Sequence, residues 1–157
     1  MNYGIKCLIK MVLAIGILTI LPISADAKVI TTCGESNGYG AYLRNGNLGP
    51  QGNFKKDGFS GSKIVFEANQ DADTGKTEVD VIFYNSGTPY RASKDGGVYL
   101  MNHNPTNNTW MVLATAKTYM DTYLFHLDNA GFGEVVWTNS RSGGTPKAVL
   151  MRAKCGE

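Results

Sequence analysis

The chain is poor in the features that mark several large function classes. It has no basic run longer than Lys55-Lys56, and 15 Lys plus Arg against 13 Asp plus Glu leave a net charge of +2. That balance gives no electrostatic footprint for nucleic acid and no polybasic patch for a membrane surface. Charged residues make up only 18% and apolar residues reach 43%, which excludes intrinsic disorder. Histidine is scarce, with only His103 and His126, too few for a structural zinc site beside an oxidised cysteine pair. Beyond residue 27 there is no second long apolar run and no stretch of helical periodicity between turns. The 157 residues suffice for one domain of ordinary size.

What the amino terminus does contain is an export signal pattern. Lys6 and Lys10 precede an uncharged apolar run from Met11 to Leu21, Pro22 breaks it, and Ala25-Asp26-Ala27 supplies small residues for a signal peptidase. Residues 1–27 are therefore expected to form a cleaved signal peptide and 28–157 a single β-barrel domain. As a membrane anchor the run is shorter than the roughly 20 residues a bilayer needs. Cleavage would leave 130 residues with 13 basic and 12 acidic groups, no membrane span, and two cysteines, Cys33 and Cys155. Two thiols exported into an oxidising compartment, periplasm or medium, are expected to pair as a structural disulfide that ties the chain ends together.

Between Gly- and Asn-rich turns the chain alternates with period two. Lys63 to Glu67 places Ile64 and Phe66 on one face. Val79 to Tyr84 places Val79, Val81 and Phe83 on one face with Asp80 toward solvent, Thr122 to Asp128 does the same with Tyr123, Phe125 and Leu127, and Lys147 to Lys154 sets Val149, Met151 and Ala153 in phase with Cys155. Further strands are expected at Val29 to Cys33, Tyr39 to Arg44, Val98 to Asn102, Trp110 to Lys117 and Glu134 to Thr138. Short turns such as Asp73-Thr74-Gly75 and Asp128-Asn129-Ala130-Gly131 favour antiparallel hairpins. The expected fold is all-β, an antiparallel meander closed or nearly closed into a barrel of about 8 strands, with a two-sheet sandwich as the rival. Gly46 to Gly61 reads as the longest irregular connection.

Catalytic and metal patterns are weak. Gly58-Phe59-Ser60-Gly61-Ser62 lacks the second glycine and the strand-to-helix setting of a nucleophile elbow, and reads as a turn entering a strand. Asp71, Asp73, Glu78 and Asp80 gather near one turn, but Gly75 and Ile82 stand where an EF-hand needs other residues, so a solvated hairpin tip is expected. Neither a metal nor a cofactor is expected. Glu35, beside Cys33-Gly34, reads as a turn contact with an outside chance of chemistry. Tyr39 and Trp110 are candidate ligand-stacking rings. Arg91 and Lys94 offer charge on a loop between strands. Trp137 reads as core.

Several segments look familiar together. Thr32-Cys33-Gly34-Glu35-Ser36-Asn37-Gly38-Tyr39, Asp57-Gly58-Phe59-Ser60-Gly61, Arg91-Ala92-Ser93-Lys94-Asp95-Gly96-Gly97, Tyr123-Leu124-Phe125, Val136-Trp137-Thr138 and the terminal Cys155 resemble a family of small exported bacterial β proteins of unknown function. The likeness spans most of the mature chain and brings no activity, cofactor or catalytic residue. Ser86-Gly87-Thr88-Pro89-Tyr90 is loosely similar to the cleft-entering Ser-x-Ser-Gly-x-x-Tyr loop of periplasmic lysozyme inhibitors, with the leading Ser replaced and a different spacing to the cysteines.

Three functions follow as expectations. The first is an exported non-enzymatic binding module of the cell envelope or medium that takes an apolar or glycan ligand at the barrel mouth or interior. The second is a periplasmic or secreted inhibitor or protein-interaction module working through the loop from Asn85 to Gly97. The third is a hydrolase, which needs two of Glu35, His103 and His126 in one cleft with a serine.

Overall fold

Alternation in the sequence passes directly into burial. The computed structural model describes residues 27–43, 54–71, 73–85, 88–143 and 146–156. Residues 1–26 of the expected signal peptide and residues 46–53 of the 46–61 connection lie outside them, while the rest of that connection holds a strand, Phe54–Phe59, where an irregular segment was expected. Tyr123, Phe125 and Leu127 are buried while Thr122, Leu124 and His126 between them are exposed. Val149, Met151, Ala153 and Cys155 are buried with the same period.

Eleven strands form one sheet: β1 (Lys28–Cys33), β2 (Ser36–Tyr42), β3 (Phe54–Phe59), β4 (Lys63–Gln70), β5 (Thr77–Tyr84), β6 (Tyr90–Arg91), β7 (Gly96–Asn104), β8 (Thr109–Ala116), β9 (Tyr119–Leu127), β10 (Gly133–Arg141) and β11 (Lys147–Cys155). A single 3₁₀ turn, Ala92–Lys94, joins β6 to β7, and the described residues contain no α-helix. The ladder order is β6-β5-β4-β1-β11-β10-β9-β8-β7, with β2 and β3 branching from β11, and every pairing is antiparallel. The sheet is strongly curled and barrel-like: β5 comes up against β7, although no ladder joins them. A single curled sheet replaces the rival sandwich.

Two expectations need correction. The strand number is eleven, not about eight. The missing strands are β3 and β6. In β3, Phe54-Lys55-Lys56-Asp57-Gly58-Phe59 shows little alternation because it pairs only with β2 and is exposed except at Asp57 and Phe59, so only its end meets the core. The antiparallel meander stands: β2 carries the line of β1 on along β11, Cys33 pairing with Cys155 and Asn37 to Tyr42 with Arg152 to Lys147 after a shift of one residue. Gly38 permits that close approach, since a Cβ there would meet the Leu150 carbonyl oxygen at 2.0 Å. Finally, Asp80 is buried rather than solvated, as is its face-mate Ile82. The Arg91–Ser93 segment folds over this side: Ser93 Oγ donates to Asp80 Oδ2 at 2.7 Å, and Arg91 Nη1 lies 3.2 Å from the same oxygen.

Phe66, Tyr123 and Phe125 form the centre of the core. Phe66 lies 4.4 Å from Phe125 and 5.4 Å, edge-on, from Tyr123 between ring centroids. Each fully buried side chain of this size stabilises the fold by about 1.5 to 3 kcal/mol relative to exposure. At one end of the core, Cys33 and Cys155 form a buried disulfide across 122 residues. The bridge suits an oxidising, non-cytoplasmic compartment. No helix of the described residues is long and apolar enough to cross a membrane.

Candidate functional site

The inward-facing residues of β9, β10 and β11 stand in register and form cross-strand rows. Tyr119, Arg141 and Lys147 make the rim, followed by Asp121, Asn139 and Val149, then Tyr123, Trp137 and Met151, then Phe125, Val135 and Ala153, and last Leu127, Gly133 and Cys155. Strand parity brings these residues to one face, and their chemistry changes from charged to polar to aromatic to aliphatic along it. The charged rim is open and partly exposed, while Asp121 is only 4% and Asn139 6% exposed.

A cavity of about 710 Å³ opens at this rim. Phe59, Ile64, Phe83 and Trp137 supply its apolar wall; Ser36, Tyr90, Asp95, Tyr119, Asp121, Asn139, Arg141 and Lys147 supply polar groups. Its volume falls within the range of about 300 to 1,000 Å³ usual for small-molecule sites. Two other hollows are shallower in chemistry. A groove of about 720 Å³ at the disulfide end is lined by Glu35, Lys63, Glu134, Arg152 and Lys154 with no aromatic ring, and an outer dish of about 640 Å³ is mainly apolar around Leu43, Phe54 and Met120.

Asp121 is the most tightly held polar group of the cavity. Its Oδ1 accepts from Asn139 Nδ2, and its Oδ2 accepts from the Tyr123 hydroxyl at 2.9 Å. Burial pushes its carboxyl above the usual carboxylate range, although those two hydrogen bonds and the Arg141 and Lys147 charges pull the other way. Burial and the neighbouring Asp121 likewise raise Tyr123, so its hydroxyl stays a proton donor. The Trp137 indole donates to Ser36 Oγ at 3.4 Å, and its ring lies between Phe59 and Tyr123, each 5.9 Å away.

Two walls meet across the mouth. The Tyr90 hydroxyl donates to Asp95 Oδ2 at 2.7 Å and lies 2.9 Å from the Tyr119 hydroxyl on β9. Burial raises both phenols. On the β2–β3 side, Asp57 accepts from Tyr42 and holds Lys147 at 3.6 Å, with the Lys147 ammonium 5.4 Å from the Phe59 ring centroid.

The residues singled out from sequence lie elsewhere. Glu35 is exposed, and its Oε1 accepts from the Gly61 amide at 2.6 Å, tying the β1–β2 link to the turn before β4. Tyr39 stands on the outer face opposite Leu150. Arg91 pairs with Glu67 at 2.8 Å and with Asp80, while Lys94 ends the 3₁₀ turn on the surface. Trp110 packs inward opposite Phe125, beneath His103 at 3.7 Å, with its indole donating to Asn108. His103 and His126 are exposed, His126 on the outer face opposite Glu134, and neither histidine nor Glu35 lines the mouth. At the acidic turn, Asp71 Oδ1 accepts from the Asp73 and Thr74 amides and from Thr74 Oγ1, which lowers its carboxyl below the usual range. Among the described residues no three His, Cys, Asp or Glu gather as metal ligands.

Asp121, Asn139, Arg141 and Lys147 at the mouth were not singled out from sequence. Their signal is a polar side chain standing in phase with a buried apolar row. No protein family, curated protein or solved structure matches this chain.

Proposed function

We propose that this protein is an exported, non-enzymatic binding module of the cell envelope or medium, and that its barrel mouth takes up a small apolar or glycan ligand. One observation carries the reading: the cavity sets aromatic rings beside a buried, hydrogen-bonded Asp121–Asn139 pair at its open end. A concave apolar wall with a few convergent polar groups is the usual construction of a small-molecule site. The disulfide supports export, because it needs an oxidising compartment. The rival inhibitor reading has less support. Arg91, the strongest charge on its loop, is engaged by Glu67 and Asp80, and Tyr90 and Asp95 turn toward the cavity.

The test is an amide NMR titration of the oxidised protein with phenylnaphthylamine as an apolar probe and N-acetylglucosamine as a glycan probe. Saturable shifts at Tyr119, Asp121, Asn139 and Arg141, weakened by Phe83→Ala, are the expected result. Shifts confined to the outer face or to the disulfide-end groove, or none with either probe, would overturn the assignment of the mouth.

A further inference from the structure

Given the mouth as a ligand site, we infer that its occupant is a neutral, hydroxyl-bearing ring of the pyranose type, whose adjacent hydroxyls donate to Asp121 and Asn139 while its C–H face lies against Phe83 and Tyr90. This deepens the proposed function by choosing the glycan over the apolar ligand.

Charge is the first argument. The lining carries two carboxylates, Asp95 and Asp121, and two cations, Arg141 and Lys147. A cationic ligand reaching Asp121 must pass the Arg141 guanidinium one row above it, and an anionic ligand drawn by Arg141 meets Asp121 one row below. Neither sign of net charge is favoured through the whole depth of the cavity.

Hydrogen-bond inventory is the second. The Asn139 amide gives its nitrogen to Asp121, its Oδ1 accepts from no other described residue in the hydrogen bonds of the cavity, and the side chain lines the cavity. Each Asp121 oxygen accepts one bond and keeps a lone pair. The floor is therefore rich in acceptors set side by side on neighbouring strands, which calls for adjacent donors on the ligand. Vicinal hydroxyls meet that requirement. An alkyl chain entering the same row would strip water from Asp121, Asn139 and Arg141 and return no hydrogen bond, so the polar floor discriminates against it.

The rings are the third. Phe83 and Tyr90 lie 6.2 Å apart and tilted by 34°, both lining the cavity, with Trp137 below them already enclosed between Phe59 and Tyr123. Phe83 lies 6.4 Å from both Tyr123 and Trp137, and Tyr90 meets Tyr119 at the rim, so the two rings face the cavity from the rows on either side of Asp121–Asn139. A sugar ring has the matching faces, polar at its rim and apolar across its plane.

The experiment is a calorimetric and amide NMR titration of the full oxidised protein with glucose, galactose, N-acetylglucosamine and maltose, set against decanoate, benzamidine and inorganic phosphate. Saturable binding of at least one saccharide at Asp121 and Asn139 is expected. Asn139→Ala is expected to weaken it about tenfold or more, with Glu35→Gln as an unchanged control remote from the mouth. Because Asn139→Ala is a core-facing change, the titration of the unsubstituted protein stands as the deciding arm. Decanoate or benzamidine seated in the mouth, with no saccharide able to enter, would overturn the inference and leave the ligand-site reading in place. Phosphate binding there in preference to every sugar would also overturn it. If no probe reaches the mouth, both fall.

Discussion

Replacing Cys33 and Cys155 together by alanine tests what holds the curl of the sheet. The bridge closes a loop of 122 residues, and its two cysteines are the one pair in register between β1 and β11, flanked by the Gly156-to-Thr32 and Gly34-to-Lys154 backbone hydrogen bonds. In the chain-entropy account a loop of that length is worth about 5 kcal/mol. A small domain has a total stability of roughly 5 to 15 kcal/mol, so the loss is a large fraction of what is present. With a urea dependence of about 1 to 3 kcal/mol per molar, the unfolding midpoint is expected to fall by roughly 2 to 5 M. The assay is urea unfolding, followed by tryptophan fluorescence, of the oxidised protein, the protein under a phosphine reductant, and the double variant. The last two should agree. A midpoint within about 0.5 M of the oxidised protein would refute the reasoning. It would mean that the β1–β4 and β10–β11 ladders hold the ends without help from sulfur. Because Cys155 and the rim residue Lys147 are at opposite ends of β11, roughly 27 Å apart at strand rise, any folded fraction of the variant should keep its mouth.

Two further outcomes are expected. In Asp121→Asn the stability difference from the wild type should change with pH in a defined direction. The folded protein raises this carboxyl above its unfolded value, so the wild type has its full contribution below about pH 3.9 and loses it as pH rises through the folded value. The variant has no such group and gains on the wild type over that window; a flat difference from pH 3 to pH 8 in thermal melts would rule out the buried ionisation. Phe66→Ala removes a fully buried ring packed on Phe125 and Tyr123 and should cost about 3 to 5 kcal/mol in denaturant unfolding, with a loss below about 1 kcal/mol showing that the core collapses into the gap.

The legible part of the fold is the part where one side of a strand is buried and the other is wet. Tyr123, Phe125 and Leu127 against Thr122, Leu124 and His126 is such a case, and so is the run from Val149 to Cys155. The pairing of Cys33 with Cys155 was legible too, because the expected loss of residues 1–27 takes away Cys7 and leaves two thiols with one disulfide to make. Where a second layer covers the outer side, alternation misleads. Asp80 has the pattern of a solvent residue and is buried because Arg91 and Ser93, eleven and thirteen positions further on, fold over it. Where no core presses on a strand, as at Phe54-Lys55-Lys56, alternation is missing and β3 went unread.

The mouth was missed for a subtler reason, one of boundaries. Reading a strand as ending where apolar residues end stops β9 at Thr122 and β10 at Thr138, one residue short of Asp121 and of Asn139. The ladder continues past both, to Tyr119 and Arg141. Parity is indifferent to polarity, so the same two-residue period that buries Tyr123 and Trp137 turns Asp121 and Asn139 inward in the next row. A carboxylate there is desolvated, and a domain selected only for stability gains more from an apolar pair of similar volume. The polar row at the boundary between charged rim and aromatic floor is thus costly to the fold and well placed for a ligand. That conjunction, rather than any motif in the chain, is what supports our proposal that the open end of the sheet takes up a ligand.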